Sequence, residues 1–322
     1  MKEPTIREIR EAQDRIRPHT HRTPLLTCAA LDREGGARFY FKCENFQKVG
    51  AFKARGATNA VFLLGAEEAT RGVATHSSGN HAAALALAAR SRGVPAYVVM
   101  PRTSPRVKVE AVRGYGAEIV FCEPNLEARE RGLAEVVART GAAFIHPYDD
   151  PRVIAGQGTA AAEMIEDGPE PMDAVIAPVG GGGLLSGTAL AFAALSPRTA
   201  VIGAEPKGAD DAYRSLREGK ILPSVEPRTV ADGLLTSLGR HTFPILRRLV
   251  REIVTVEEET ILRAMRLVWT RMKIVIEPSA AVAFAAALER PDLFVARSVG
   301  VIFSGGNVDP DRLPEMGFGG AD

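Results

Sequence analysis

Short runs of β-branched and aromatic residues alternate along this chain with longer Ala- and Leu-rich stretches. "GVATH" (72–76) precedes "NHAAALALAARSRG", "AYVVMP" precedes "SPRVKVEAVRGYG", and "AEIVFC" precedes "NLEARERGLAEVVARTG". "AAFIH" leads to "VIAGQGTAAAEMIED", "DAVIAP" to "GLLSGTALAFAAL" and "TAVIGAE" to "ADDAYRSLREG", with "SVGVIFS" closing the series. Strands that alternate with helices of roughly 10–15 residues form parallel sheets covered on both faces. Seven such runs are many for one sheet, so the pattern predicts an α/β fold with two doubly wound layers. The stretches near 66–72 and 147–152 read as coil and as the crossings between the layers.

In open α/β sheets, ligands bind where the carboxyl end of a strand turns into the next helix. Four loops fall there: "HSSGNH" (76–81), "PVGGGGLLSG" (178–187), "AEPKGADD" (204–211) and "FSGGN" (303–307). Gly180, Gly181, Gly182 and Gly183 let consecutive backbone N–H groups turn toward one anion, and the following helix adds its positive end. The dinucleotide fingerprint is not met, because its third glycine position holds Leu185 or Ser186 in either register, and no Gly-Lys-Ser/Thr follows. A compact phosphate fits better than a dinucleotide or ATP.

Composition narrows the classes. Of 322 residues, 46% are apolar and 25% charged, ordinary values for a globular protein with a sizeable core. The 40 basic and 39 acidic residues leave a formal net charge of +1, which argues against a nucleic-acid or membrane-surface partner. No apolar run approaches a bilayer span, and "MKEPTIREIREAQ" lacks a signal-peptide core. Cys28, Cys43 and Cys122 are odd in number and widely spaced. They suit a reducing cytoplasm and form neither a disulfide framework nor a metal knuckle.

One segment carries candidate chemistry: Gly50-Ala51-Phe52-Lys53-Ala54-Arg55-Gly56-Ala57 sets an amine among small and apolar neighbours. Lysine is ordinarily a solvated surface charge. When partly desolvated, its pKa falls and its lone pair becomes free for carbonyl chemistry. The segment alone leaves both readings open, as Ser77-Ser78-Gly79-Asn80-His81 leaves open a simple helix cap.

The ordered set of motifs decides more. "HRTPLL" (21–26), "FKCENFQKVGAFKARGA", "THSSGNHA", "IHPYDDPRVIAGQGT", "PVGGGGLLSG", "AEPKGADDAY", "TVADGL", "MKIVIEPSAA" and "FSGGNVD" together resemble the fold-type II pyridoxal-phosphate enzymes of the serine/threonine dehydratase and serine racemase family. The resemblance covers nearly the whole chain. It implies a tryptophan synthase β-like fold of two doubly wound parallel-sheet domains with the cofactor between them. Residues 1–66 and 149–322 would form the large cofactor-binding domain, and residues 67–148 a small mobile one.

By the same resemblance, Lys53 carries the cofactor, Phe52 packs by its ring and Asn80 bonds its 3′-oxygen. Gly180 to Gly183, with Leu184, wrap the phosphate, and Ser304 meets the pyridine nitrogen. A hydroxyl there does not hold the ring protonated as a carboxylate would, so the ring is a moderate electron sink that favours loss of a β-leaving group. Ser77, Ser78, Asn80 and His81 would seat the substrate. Glu205, the carbonyl of Ala209 and Asp211 match a divalent-cation site of hard oxygen ligands for Mg²⁺, with Ca²⁺ or Mn²⁺ as alternatives. A solvated acidic helix start is the competing reading of "GADDAY", and Asp210 is expected to point elsewhere. A homodimer and a small amino-acid substrate complete the implication.

The implied reaction is β-elimination from L-serine, L-threonine or a related 3-hydroxy amino acid to a 2-oxo acid and ammonia, with Lys53 taking the Cα proton. Ser78 stands where the family's threonine dehydratases usually carry Ala, and racemases and hydroxyaspartate ammonia-lyases carry Ser. Its hydroxyl could return the proton from the opposite face, so serine racemisation is expected as well. Arg129 and His76 match positions that meet the far carboxylate of a dicarboxylic ligand, which makes L-threo-3-hydroxyaspartate the alternative substrate. A solvated Arg129 paired within its own helix is the competing reading. Tyr148 is closer to the dehydratases than to mammalian-type racemases. No feedback domain is expected after residue 310. The outside alternatives are a non-catalytic amino-acid sensor, against which an intact Lys53 argues, and a β-replacement enzyme, which "SSGNHA" and "HPYDDP" fit less well.

Overall fold

The computed structural model describes residues 2–77, 79–104, 106–169, 171–295 and 297–317. In chain order its strands are Leu25–Leu26 (β1), Arg38–Cys43 (β2), Val73–His76 (β3), Ala96–Pro101 (β4), Glu118–Cys122 (β5), Ala143–Phe144 (β6), Ala174–Pro178 (β7), Ala200–Pro206 (β8), Glu252–Val256 (β9) and Ser298–Phe303 (β10). They form a six-stranded sheet, β1-β2-β10-β7-β8-β9, and a four-stranded sheet, β5-β4-β3-β6. Among these strands only β1 runs antiparallel to its neighbour.

Parallel strands between two helical layers must be apolar on both faces, and β7 shows the division. Ala174 and Ile176 enter one core with the helix Pro278–Glu289, while Val175 and Ala177 enter the other with the helix Gly183–Leu195. Both helices are buried along almost their whole length, which is why they read as Ala- and Leu-rich without a polar face. The small sheet repeats the plan. Val98 and Met100 pack with the helix Asn80–Arg92, and Val99 packs with the helix Leu126–Thr140.

Three strands lie outside the seven runs that the pattern predicts. β1 is only two residues long. β2, "RFYFKC", is broken in pattern by Lys42, whose side chain is fully buried because Glu163 pairs with it at 2.7 Å. β9, "EIVTV", is an edge strand that leaves Glu252 and Thr255 half-buried. Two further expectations need correction. Residues 66–70 are not coil but the short helix Ala66–Thr70, and the "AAFIH" run yields only the two-residue β6.

Both sheets change direction at an internal strand. In the large sheet the chain steps outward from β7 to β8 to β9 on one side, with β10 on the other. In the small sheet it steps from β3 to β4 to β5, with β6 on the other side. The loops leaving β7, β10, β3 and β6 therefore diverge, and each pair opens a crevice at the strands' carboxyl ends. These are the loops that hold the glycine run, Ser304, Ser77–Asn80 and His146–Tyr148.

Candidate active site

Lys53 begins the helix Lys53–Leu63, and the segment before it is tightly constrained. Val49 and Gly50 both take positive φ, at 56° and 67°. Ala51 then bridges Gly305, and Phe52 N donates to Ser304 O at 3.0 Å. The lysine backbone is thus pinned to the end of β10, beside the buried Ser304. Arg55, two residues on, is fully buried and holds Glu44 at 2.7 Å and Glu163 at 2.8 Å. Lys42 pairs with the same Glu163. This closed set of charges anchors the lysine helix to β2 and to the helix Pro151–Asp167.

The Lys53 amine crosses to the other sheet, where Nζ donates to Pro147 O at 2.8 Å, and it lies 5.1 Å from the centre of the Phe52 ring. Burial pulls its pKa down to about 8, against the opposing pull of Glu277. A neutral amine is therefore accessible near neutral pH, as carbonyl chemistry requires.

Facing it, residues 180–183 leave β7 and start the helix Gly183–Leu195. Gly182 sits at φ 87°, in the left-handed region. A Cβ on Gly181 would come within 2.3 Å of the Tyr148 ring. Thr242 Oγ1 donates to Gly181 O at 2.9 Å and receives Gly239 N at 2.8 Å. Asp149 accepts from the backbone N–H groups of Arg240, His241 and Thr242 at 3.0, 2.7 and 3.2 Å. The result is a rigid cradle of backbone at a helix N-terminus, which suits a phosphate. The Leu184 side chain is packed in the core, so that residue can offer the cradle only backbone.

Asn80 is the first residue of its helix, but its side chain does not cap it. The N-cap is Gly79, and the Asn80 amide reaches Glu277 instead, at 2.9 and 3.2 Å. Ser77 follows β3, with its N–H on Val99 O at 3.1 Å and its hydroxyl accepting from Gly79 N at 3.3 Å. Ser78 lies outside the described residues.

Beyond Lys53 the site is lined by imidazoles. His81 Nε2 lies 3.3 Å from Ile145 O, and its ring is held well below its ordinary pKa by burial and then by Lys53. His146 Nδ1 accepts from the N–H groups of Tyr148 and Asp149 at 3.3 and 2.9 Å, which leaves the proton on Nε2. Burial pulls its pKa down to about 4. The ring of His76 is 6.3 Å from that of His146, and its pKa is lowered by burial and by Arg129. Arg129 Nε and His81 Nδ1 are buried without a hydrogen-bond partner among the described residues. The expected alternative, a pairing of Arg129 within its helix, is not seen among them, and Glu127 is engaged by Arg131 at 3.7 Å. Tyr148 packs on the glycine cradle, and burial pushes its phenol up to about 12.

Glu205 stands near the end of β8, before the turn Lys207–Ala209. Its two oxygens accept from Ala212 N and Tyr213 N at 2.9 and 2.8 Å, and burial pushes its carboxyl up to about 9. Asp211, pushed up to about 6 by burial, has both oxygens buried without a hydrogen-bond partner among the described residues. Ala209 is buried next to them, and Asp210 is turned away onto Arg214 at 2.7 Å. No group of three or more His, Cys, Asp or Glu forms a metal cluster among the described residues. The available donor set is two carboxylates and a carbonyl.

Sequence reasoning missed Glu277, Asp149, Thr242 and His146. Glu277, Asp149 and Thr242 work through partners distant in sequence, and His146 through the N–H groups of Tyr148 and Asp149 close by, although "EPSAA" and "HPYDD" already stood in the recognised motifs.

Comparison with known proteins agrees with this geometry. The family model described as "Pyridoxal-phosphate dependent enzyme" matches residues 16–305. The beta-hydroxyaspartate dehydratase of Paracoccus denitrificans is 53% identical over 97% of this chain and 98% of its own. The crystal structure of serine racemase from Dictyostelium discoideum is 50% identical, covers 95% of this chain and 99% of its own, and superposes with a TM-score of 0.91. That of a threonine deaminase from T.th. is 48% identical, with the same coverage and the same TM-score. A desolvated lysine opposite a glycine cradle, a buried serine at the end of β10 and these relatives lead to one conclusion: the chain belongs to the fold-type II pyridoxal-phosphate dependent enzymes, within their group of ammonia-lyases and racemases.

Proposed function

We propose that this enzyme eliminates water from a 3-hydroxy amino acid, giving a product that takes up water again to yield a 2-oxo acid and ammonia, with 3-hydroxyaspartate preferred to L-serine or L-threonine. The observation that carries the preference is Arg129 Nε, buried beside His76 without a hydrogen-bond partner among the described residues. A guanidinium there is a ready partner for a second carboxylate. The dehydratase relative named for beta-hydroxyaspartate supports the same reading.

Lys53, Phe52, Asn80, Ser304 and the run from Gly180 to Gly183, with the backbone of Leu184, would hold the cofactor. When bound, pyridoxal phosphate supplies an electron sink that acidifies the substrate's Cα–H. Lys53, neutral near pH 8, takes that proton. Ser77, Asn80 and His81 orient the substrate carboxylate, and the neutral rings of His76 and His146 keep the pocket free of competing cations. The Cβ–O bond breaks, water leaves, and the released unsaturated amine is hydrolysed in solution to the 2-oxo acid and ammonia. Ser78 is proposed as the acid on the opposite face of Cα, which would give serine racemisation as a second activity. The unit 67–148 would move over the substrate, against the large unit of residues 1–66 and 149–322.

Glu205, Ala209 and Asp211 are proposed to bind Mg²⁺, with Ca²⁺ or Mn²⁺ as substitutes. The support is the pair of orphaned, buried Asp211 oxygens. A homodimer and a cytoplasmic location belong to the same proposal, the latter supported by three free cysteines.

The test is oxo-acid release from L-serine, L-threonine and L-threo-3-hydroxyaspartate, with chiral chromatography of serine alongside. Highest kcat/KM with hydroxyaspartate is expected. Equal values for the three would remove the role given to Arg129, and no oxo acid from any would remove the elimination reading. Chelation should lower the melting temperature and Mg²⁺ should restore it, whereas Asp211→Ala should respond to neither.

A further inference from the structure

Three side chains form a hydrogen-bonded line behind the position proposed for the cofactor ring. Asn80 Nδ2 lies 2.9 and 3.2 Å from the two carboxylate oxygens of Glu277. Asn80 Oδ1 accepts from Asn307 Nδ2 at 2.9 Å, and the same Asn307 nitrogen donates to Val49 O at 2.7 Å. Asn307 therefore uses both of its N–H groups, whereas Asn80 uses one and keeps one.

An asparagine amide can in principle turn end for end about its last torsion, exchanging donor for acceptor. Here the exchange would set the Asn80 oxygen against a carboxylate and its nitrogen against the Asn307 nitrogen. Two hydrogen bonds would become two repulsions, one of them against the buried Glu277 carboxylate, where an unmet polar group is costly. Glu277 is itself fixed. It is 4% exposed, it is the N-cap of the helix Pro278–Glu289, and its N–H donates to Gly305 O at 3.0 Å. The charged groups that act on it are Lys53, Asp232 and Lys108, and the last two are paired with each other at 2.5 Å.

We propose that Glu277 is a positioning residue for the cofactor, acting through Asn80: it locks the amide so that a nitrogen, and not an oxygen, meets bound pyridoxal phosphate. The inference rests on the reading above that Asn80 meets the 3′-oxygen of the ring. An N–H donor there favours the ionised form of that oxygen, and an amide oxygen would oppose it. Glu277 thus sets the electronic state of the cofactor without touching the substrate.

Two substitutions separate this role from charge or packing. Glu277→Gln and Glu277→Ala both remove the carboxylate charge, but only glutamine keeps an acceptor for Asn80. The loaded enzymes are dialysed against cofactor-free buffer, and the retained visible absorbance and the pH at which that band changes are recorded. Glu277→Ala is expected to hold the cofactor about tenfold more weakly than Glu277→Gln and to shift the band's pH midpoint further from wild type. In an Asn80→Ala background the difference between the two variants should vanish, because the effect passes through that amide. Equal retention by the two variants, or a difference that persists without Asn80, would overturn the proposal. Should Glu277→Ala not fold, Asn307→Ala cuts the other end of the line. It should weaken retention in the wild-type background and not in Asn80→Ala, and equal weakening in both would overturn the proposal too. Absence of a visible band in the loaded wild-type protein sinks the cofactor reading itself, and the inference with it, before any variant is compared.

Discussion

The backbone of the glycine cradle and the charges behind Lys53 find partners within the chain, although Ser186 Oγ and Thr188 Oγ1 in the helix that follows are buried without a hydrogen bond among the described residues. Thr242 holds Gly181 O, Asp149 collects three backbone N–H groups, and Arg55 is closed in by Glu44 and Glu163. On the substrate side of the same cleft, and at the Glu205 loop, the pattern reverses. Arg129 Nε, His81 Nδ1 and both oxygens of Asp211 are buried without a hydrogen bond among the described residues. A buried polar atom left unpaired costs about 1–3 kcal/mol, so the unpaired ionisable groups on the substrate side and beside Glu205 are the ones a ligand would complete. The paired set around Lys53 and the cradle holds geometry.

Lys53→Ala is the strongest attack on that division, since it removes the amine that reaches across to Pro147 O. Oxo-acid release should fall by at least about a thousandfold and the visible band of the loaded protein should disappear, with the melting temperature little changed. Turnover that survives together with an unaltered band would remove Lys53 from the chemistry.

Arg55→Met probes the paired side. It leaves Glu44 buried without its cation and Glu163 with Lys42 alone, and losing one member of a buried ionic set typically costs about 3–5 kcal/mol. Denaturant unfolding should show a loss of that order. A loss below about 1 kcal/mol would mean that the network does not behave as a buried one.

Arg129→Leu probes the unpaired side. KM for 3-hydroxyaspartate should rise about 10- to 100-fold, the worth of a charge-assisted hydrogen bond, with L-serine turnover and the melting temperature nearly unchanged. A stability loss instead of a KM effect would place Arg129 among the residues that hold the fold.

The smallest expected effect sharpens the account of Lys53. In the folded protein its amine titrates near 8 because burial favours the neutral form, against an ordinary lysine value of 10.5. Between those values the unfolded chain binds more protons than the folded one, so stability rises with pH in that window. Cofactor-free enzyme should gain roughly 2 °C in melting temperature between pH 8 and 10 relative to Lys53→Met. Identical profiles for the two proteins would mean that the amine is solvated.

Much of this architecture was legible before any coordinates. The seven apolar runs correspond to β3 to β8 and β10, because parallel strands buried on both faces leave a continuous apolar signal. "GGGG" announced a backbone cradle, because only glycine permits Gly182 at φ 87° and the ring of Tyr148 against Gly181. β2 stayed hidden because Lys42 looks like a surface residue until Glu163, 121 positions away, is brought to it. The same limit applies at the site. Local sequence determined which residue types line the loops and that a lysine stood among small neighbours. Only the tertiary structure decided that Asn80 faces Glu277 across 197 positions, that Asp149 gathers the N–H groups of residues 240–242, and that Arg129 Nε is left unpaired among the described residues. Backbone propensity and burial period act over a few residues, whereas hydrogen-bond partnership and desolvation exist only once distant segments are packed together.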